Sequence, residues 1–239
     1  MSLFVVLLLA LLPATALGAS CPKAPDHKCV DATYECCDSN FQNNLNISAA
    51  CGVGSIWNFP ICIRNQLGAI WQQGTHGVLE VCDAYSQFRS CLGKSLHDCT
   101  NDGYYIRQGL LGVFQAQQVQ TLFTELNYIC GAGMDIFLNN DVCMSKVFKQ
   151  NGTDIKACRK QFNDNIKANP SNACQFEETL KECVAAPFQS CGMEAMFYMC
   201  ENERVILNTW LPMCSKACSF QQKLSNHQNL EVKNAPKEQ

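Results

Sequence analysis

His97 and Asp98 stand side by side ahead of Cys99, inside the run CDAYSQFRSCLGKSLHDC from Cys82 to Cys99. An imidazole oriented by a carboxylate can take a proton from water or a hydroxyl, so this pair is the first place to look for catalysis. A second run, CQFEETLKECVAAPFQSC from Cys174 to Cys191, repeats the cysteine spacing but carries Gln189-Ser190 instead. The spacing therefore serves something other than the His-Asp pair. Other catalytic signatures are thin: neither Gly-x-Ser-x-Gly nor His-Glu-x-x-His occurs. Glu177-Glu178 and Glu201/Glu203 read as solvated helix faces, although paired carboxylates in a cleft could hydrolyse glycosides. An even set of cysteines leaves no thiolate to act as nucleophile. The reading is non-enzymatic, with no catalytic, cofactor-binding or metal-binding residue assigned.

The His-Asp pair also invites comparison with secreted phospholipases A2, which set such a pair on a disulfide-clamped helix behind a Cys-Gly-x-Gly calcium loop. Here Cys130-Gly-Ala-Gly follows the pair instead of preceding it, and Cys51-Gly-Val-Gly lies too far upstream. The order excludes that assignment, and an exposed polar turn is the reading for His97-Asp98.

The chain opens MSLFVVLLLALLPATALGAS, an apolar run from Leu3 to Leu12 followed by Pro13 and small residues. Residues 1–19 read as a secretory signal peptide cleaved after Gly18 or Ala19, although no Lys or Arg lies near Met1. The run is well short of the roughly 20 residues a membrane span needs. All 18 cysteines lie downstream, against only four histidines and no Cys-x2-Cys pair, which argues against structural zinc. An exported chain with Cys21, Cys29, Cys36, Cys37, Cys51, Cys62, Cys82, Cys91, Cys99, Cys130, Cys143, Cys158, Cys174, Cys183, Cys191, Cys200, Cys214 and Cys218 predicts up to nine disulfides. Two sequons, Asn46-Ile47-Ser48 and Asn151-Gly152-Thr153, predict N-glycosylation at Asn46 and Asn151, the second on a loop. A net charge of −3 with interspersed signs leaves no footprint for nucleic acid. Residues 219–239 read as a polar, disordered tail.

The duplicated spacing extends beyond the two triplets. CGVGSIWNFPIC (Cys51 to Cys62) resembles CGAGMDIFLNNDVC (Cys130 to Cys143), and the matched positions suggest a tandem duplication with copies near 36–103 and 119–200. Five matched cysteines per copy cannot all pair internally. Adjacent Cys36 and Cys37 are expected to staple two different segments.

The positions that must carry these staples read as helices. Ile106, Leu110, Phe114, Val119, Leu122, Leu126 and Ile129 form one apolar stripe, and Ile155, Cys158, Phe162 and Ile166 another, closed by Asn169-Pro170. Pro60 opens a third through Ile63, Leu67, Ile70 and Trp71. At 100° per residue, cysteines nine apart point to opposite sides of a helix. Cys82/Cys91 and Cys174/Cys183 should therefore each tie one helix to two neighbours, with Gly93 and Pro187 ending it. Trp57, Trp71 and Asn58-Phe59 read as core. The Met- and aromatic-rich stretch Gly192 to Cys214 reads as a core helix, with an adaptable binding surface as its functional alternative.

The phrases VCDAYSQFRSCLG, YICGAG and CGMEAMFYMCENE resemble the secreted, cysteine-rich helical proteins that nematodes encode in large families. These include domains of unknown function and the core-protein domain of chondroitin proteoglycans. The resemblance implies fold and secretion more than activity, and the chain departs from the proteoglycans in having no Ser-Gly attachment dipeptide. The expectation is an all-α, disulfide-stapled fold over 20–218, built from two similar halves, in a secreted glycoprotein with a non-catalytic extracellular binding or matrix role. A carrier of a small apolar ligand is the alternative, and a secreted hydrolase the third. Partners would be an extracellular protein, a glycan or an apolar ligand, without nucleic acid, cofactor or membrane span.

Overall fold

Pro60 starts a helix because a missing N–H costs nothing at a first turn whose amides have no intrahelical acceptor. Helix α3 (Pro60–Trp71) begins there, and Pro170 marks the opposite boundary by following the end of α8 (Met134–Ala168). The computed structural model describes residues 20–52, 54, 56–107, 109, 112–214 and 216–219. The leader read at 1–19 and the tail beyond 219 lie outside them. Among the described residues the chain is all helical, about 78% helix with no strand.

Helix α1 (Asp31–Asn44) packs on α4 (Thr75–Leu92), with α2 (Ser48–Cys51) and α3 between them in sequence. A 3-10 turn at Gly93–Ser95 ends α4, where Gly93 takes φ 54°, a left-handed conformation that favours glycine. Short helices α5 (Leu96–Thr100) and α6 (Asp102–Arg107) lead to α7 (Val113–Ile129). The second half runs α8, α9 (Ala173–Ala185), a 3-10 turn at Ala186–Cys191, and α10 (Met193–Asn208).

The stripe read from Ile106 to Ile129 is split, and only its C-terminal part is core. Val119, Leu122, Leu126 and Ile129 are buried in α7, but Phe114 is 66% exposed and α6 stops at Arg107. One core gathers Tyr34, Phe41, Phe88 and Phe123, with Trp57 stacked on Tyr34 at 4.7 Å. Tyr105 anchors it by donating to the Cys99 carbonyl at 2.5 Å. The second core holds Phe137, Met144, Phe188 and Tyr198 from the C-terminal half, plus Val78 and Cys82 from α4. Helix α4 thus belongs to both. Phe59, read as core, is 41% exposed at the start of α3.

Nine disulfides take up all the cysteines. Cys82 bonds Cys130 at the end of α7 while Cys91 bonds Cys37 on α1. Cys174 bonds Cys214 while Cys183 bonds Cys158 on α8. Each pair of cysteines nine apart therefore clamps its helix on two sides, as the 180° geometry requires. The third cysteine of each triplet closes an outer ring: Cys29–Cys99 encloses Cys37–Cys91, and Cys143–Cys191 encloses Cys158–Cys183. Cys21–Cys36, Cys51–Cys62 and Cys200–Cys218 are local. Adjacent Cys36 and Cys37 do staple different segments. The Cys-Gly-x-Gly matches do not bond alike, however. Cys51 and Cys62 join each other, whereas Cys130 and Cys143 go to Cys82 and Cys191.

Candidate functional site

Three of the four acidic residues read as solvated faces are buried, and only Glu178 is partly exposed. Glu177 and Glu203 are 1% and 2% exposed, and Glu201 is 8%. Glu201, Asn202 and Glu203 together cover about 200° of α10, which packs against α7, α8 and α9. Their partners come from elsewhere in the chain. Arg159 on α8 grips Glu203 in a fork, with Nη2 and Nε donating to Oε2 at 2.7 and 3.1 Å. Arg64 on α3 grips Glu125 on α7 in the same way, at 2.6 and 3.2 Å. Asn202 reaches the Glu125 carboxylate at 3.5 Å. Glu201 pairs with Arg204 and accepts from the Cys218 amide at 3.3 Å.

This seam joins helices of both halves. The Glu203 carboxylate pushes the Arg159 guanidinium above its usual pKa, outweighing burial. Burial raises the Glu177 carboxyl, against the opposing pull of Lys181 at 3.2 Å. A bidentate arginine fork fixes a carboxylate's orientation as well as its position. The arrangement is a lock between helices. The two arginine forks leave no local sequence signal because they span 44 and 61 residues.

The surface offers a different kind of feature. Phe114, in the first turn of α7, meets Trp210 beyond α10 edge-on at 5.2 Å. Val113 is 58% exposed beside it and Met213 is 74% exposed just past Trp210. Thr121 and Thr209 fix the two helices by a 2.8 Å hydroxyl bond. Gln115 donates to the Trp57 carbonyl at 3.0 Å, which brings the start of α3, with exposed Phe59 and Ile61, to the same end. The ring pair and Val113, with exposed Met213 three residues past Trp210 in the chain, make an apolar end on a rigid support. It includes the C-terminal end of the Met-rich stretch, whose middle residue Met199 is core.

Two hollows lie on the helical surface. An apolar niche between α8 and α9, lined by Phe162, Phe176 and Leu180, holds about 10 Å³, room for one water. It gives the carrier alternative no support. A hollow of about 310 Å³ lies between α1 and α4, over Phe41, Phe88 and the Cys37–Cys91 bond. Its amides satisfy one another or their neighbours: Asn44 donates to Gln87, Gln87 to Asp83, and Asn40 to the Cys21 sulfur. The sulfurs of Cys21, Cys37 and Cys91 lie within 4.8 Å of one another beside it. All three are half-cystines, so they offer no thiolate to a metal.

His97 is exposed, with its carbonyl accepting from Asn101, but the pair lies on helix α5 instead of a turn, and Asp98 is half-buried. Asn46 is exposed in a left-handed turn with φ 52°. Asn151 is not on a loop. It lies inside α8, half-buried, with its amide donating to Asp154 at 3.3 Å, because the helix runs straight through Gly152. Among the described residues no helix is long and apolar enough to cross a membrane. No family model matches the chain, and neither a curated protein nor a solved structure does.

Proposed function

We propose that the chain is an exported, disulfide-stapled binding protein that docks on an extracellular protein or matrix surface through the apolar face at Phe114. The observation that carries this reading is the Phe114–Trp210 pair, flanked by Val113 and Met213 that are more than half exposed. Trp, Phe and Met are the side chains enriched in the desolvated centres of protein interfaces. Exposed apolar clusters of this kind mark interaction sites on proteins that otherwise hide such groups. The staples support the reading by holding the end of α10 through Cys174–Cys214, so the face is presented without a large ordering cost. The leader-like residues 1–19 and the nine disulfides support export, and exposed Asn46 supports glycosylation. No catalytic step is assigned: buried Glu125, Glu177, Glu201 and Glu203 are held by arginine or lysine, and buried Asp38 by Gln42 and the Ile56 amide.

The test is retention of secreted protein on cell-deposited extracellular matrix, comparing the native chain with a Phe114→Ser, Met213→Ser double variant. The native chain should be retained and the variant should wash through with unchanged far-UV circular dichroism. Equal retention of a folded variant would remove the face from the function.

A further inference from the structure

Two disulfides meet beside the hollow between α1 and α4, and we propose that they exchange partners. A thiol-triggered isomerisation converts Cys21–Cys36 and Cys37–Cys91 into Cys21–Cys37 and Cys36–Cys91. The geometry rests on three sulfurs. Those of Cys21, Cys37 and Cys91 lie within 4.8 Å of one another although they belong to two separate bonds. Asn40 Nδ2 donates to the Cys21 sulfur at 3.3 Å. Cys36 is half-buried, so an external thiol can reach it, whereas Cys37 is fully buried and is reached from within.

The chemistry closes on itself. A low-molecular-weight thiol of the glutathione class loses its proton to solvent and attacks Cys36 Sγ. The Cys21–Cys36 bond breaks and its electron pair leaves on Cys21, where the Asn40 amide stabilises the thiolate. That thiolate attacks the neighbouring Cys37 Sγ, forming Cys21–Cys37 and expelling the Cys91 thiolate. Cys91 then attacks the mixed disulfide at Cys36, forming Cys36–Cys91 and returning the external thiol, which regains its proton. No electrons are gained or lost overall, and the thiol acts as a catalyst. The third possible pairing needs a bond between adjacent Cys36 and Cys37, which disulfide geometry disfavours. The exchange is therefore between two states.

Its consequence falls on the hollow. Moving the α4 staple from Cys37 to Cys36 shifts its anchor by 100° around α1. The two helices that carry Asn40, Asn44 and Gln87 must roll against each other, and the hollow they line changes shape.

The full chain is incubated with a catalytic amount of reduced glutathione, quenched in acid, and its bonds mapped by fragmentation between residues 36 and 37. Expected is a Cys36–Cys91 bond accumulating at unchanged intact mass. Native pairs alone, or a lasting glutathione adduct on Cys36, would overturn the proposal. A Cys36→Ser variant removes the need for an added thiol, because Cys21 is then a thiol beside the Cys37–Cys91 bond. Expected there is Cys21 joined to Cys37, with Cys91 open to alkylation. Cys21 alkylated throughout, with Cys37–Cys91 intact, is the contrary result. Asn40→Ala should slow the native exchange about tenfold by removing the donor to the leaving thiolate. An unchanged rate would refute that role for Asn40.

Discussion

Cys29–Cys99 encloses Cys37–Cys91, and the nesting makes a quantitative demand on stability. Taken alone, the outer bond closes a ring of 70 residues and the inner one of 54. In the chain-entropy account such rings are worth about 4.4 and about 4.2 kcal/mol. With both present, the second bond closes only the short ring between them, since Cys37 lies eight positions after Cys29 and Cys99 eight positions after Cys91. A ring of about 16 residues is worth about 3 kcal/mol. Replacing either pair by alanine should therefore cost about 3 kcal/mol from the unfolded state, whichever bond is chosen. Replacing both should cost about 7 kcal/mol, about 1 more than the two single losses together. Packing losses at buried Cys37 and Cys99 occur in the single and double variants alike and cancel in the cycle. The assay is urea unfolding followed at 222 nm for the native chain and the three variants. Because small domains are held by about 5–15 kcal/mol, the double variant should sit near the edge of folding. Losses that simply add, or a double variant no worse than one single, would refute the nested-ring reasoning.

Three further outcomes follow from named contacts. Glu203→Gln should cost about 3 kcal/mol by leaving the Arg159 guanidinium without its anion, the low end of the range because Arg159 is partly exposed. An Arg159→Met, Glu203→Gln double variant should recover most of that loss in denaturant melts, and a double variant no more stable than the single would sink the pairing argument. Gly77→Ala should destabilise rather than stabilise a helix interior, since a Cβ there would lie 1.9 Å from the Ile70 carbonyl oxygen and force α3 from α4; a raised melting temperature would contradict the close approach. Partial burial pushes the Asp141 carboxyl up, but hydrogen bonds from Thr75 and Ser145 outweigh it and hold its pKa below the ordinary value. Its contribution is therefore present above the unfolded pKa of about 3.9 and lost as pH falls through the folded one. Asp141→Asn should flatten the acid limb of the stability profile, and an unchanged limb would refute this.

What could be read in advance was whatever a single segment dictates. Pro60 and Asn169-Pro170 bound helices because proline acts on its own turn, and the nine-residue cysteine spacing fixed two directions on one cylinder. Burial of charge could not be read that way. Glu203 looks solvated until Arg159, 44 residues away, is laid across it, and Arg64 does the same for Glu125 from 61 residues away. The Asn151-Gly152 pair looks like a turn because both residues favour one, yet it is a minority within a helix of 35 residues whose flanks are pinned by Cys143 and Cys158. Phe114 fits the period of a buried stripe, and nothing local says that the first turn of α7 projects past the core. The apolar face was hidden for the same reason as the ionic seam: exposure is a property of the neighbours.

The bonding order also changes how the two halves should be compared. In each half the first cysteine of the triplet bonds forward, to Cys130 or Cys214, and the second and third bond backward in a nested pair. Matching bonds rather than sequence phrases aligns Cys29 with Cys143, Cys37 with Cys158, and Cys130 with Cys214. Under that register α1, α4 and α7 correspond to α8, α9 and α10, and the Cys51–Cys62 ring with α2 and α3 becomes an insertion in the first half. A duplication, if it occurred, would have to run in this register, since it alone matches three bonds of the same order and direction. Each triplet needs its helix clamped on two sides, and a unit that achieves this once can be copied with its staples intact. Superposing α1, α4 and α7 on α8, α9 and α10 is the measurement: the three matched bonds should overlay, and bonds left out of register would defeat the inference.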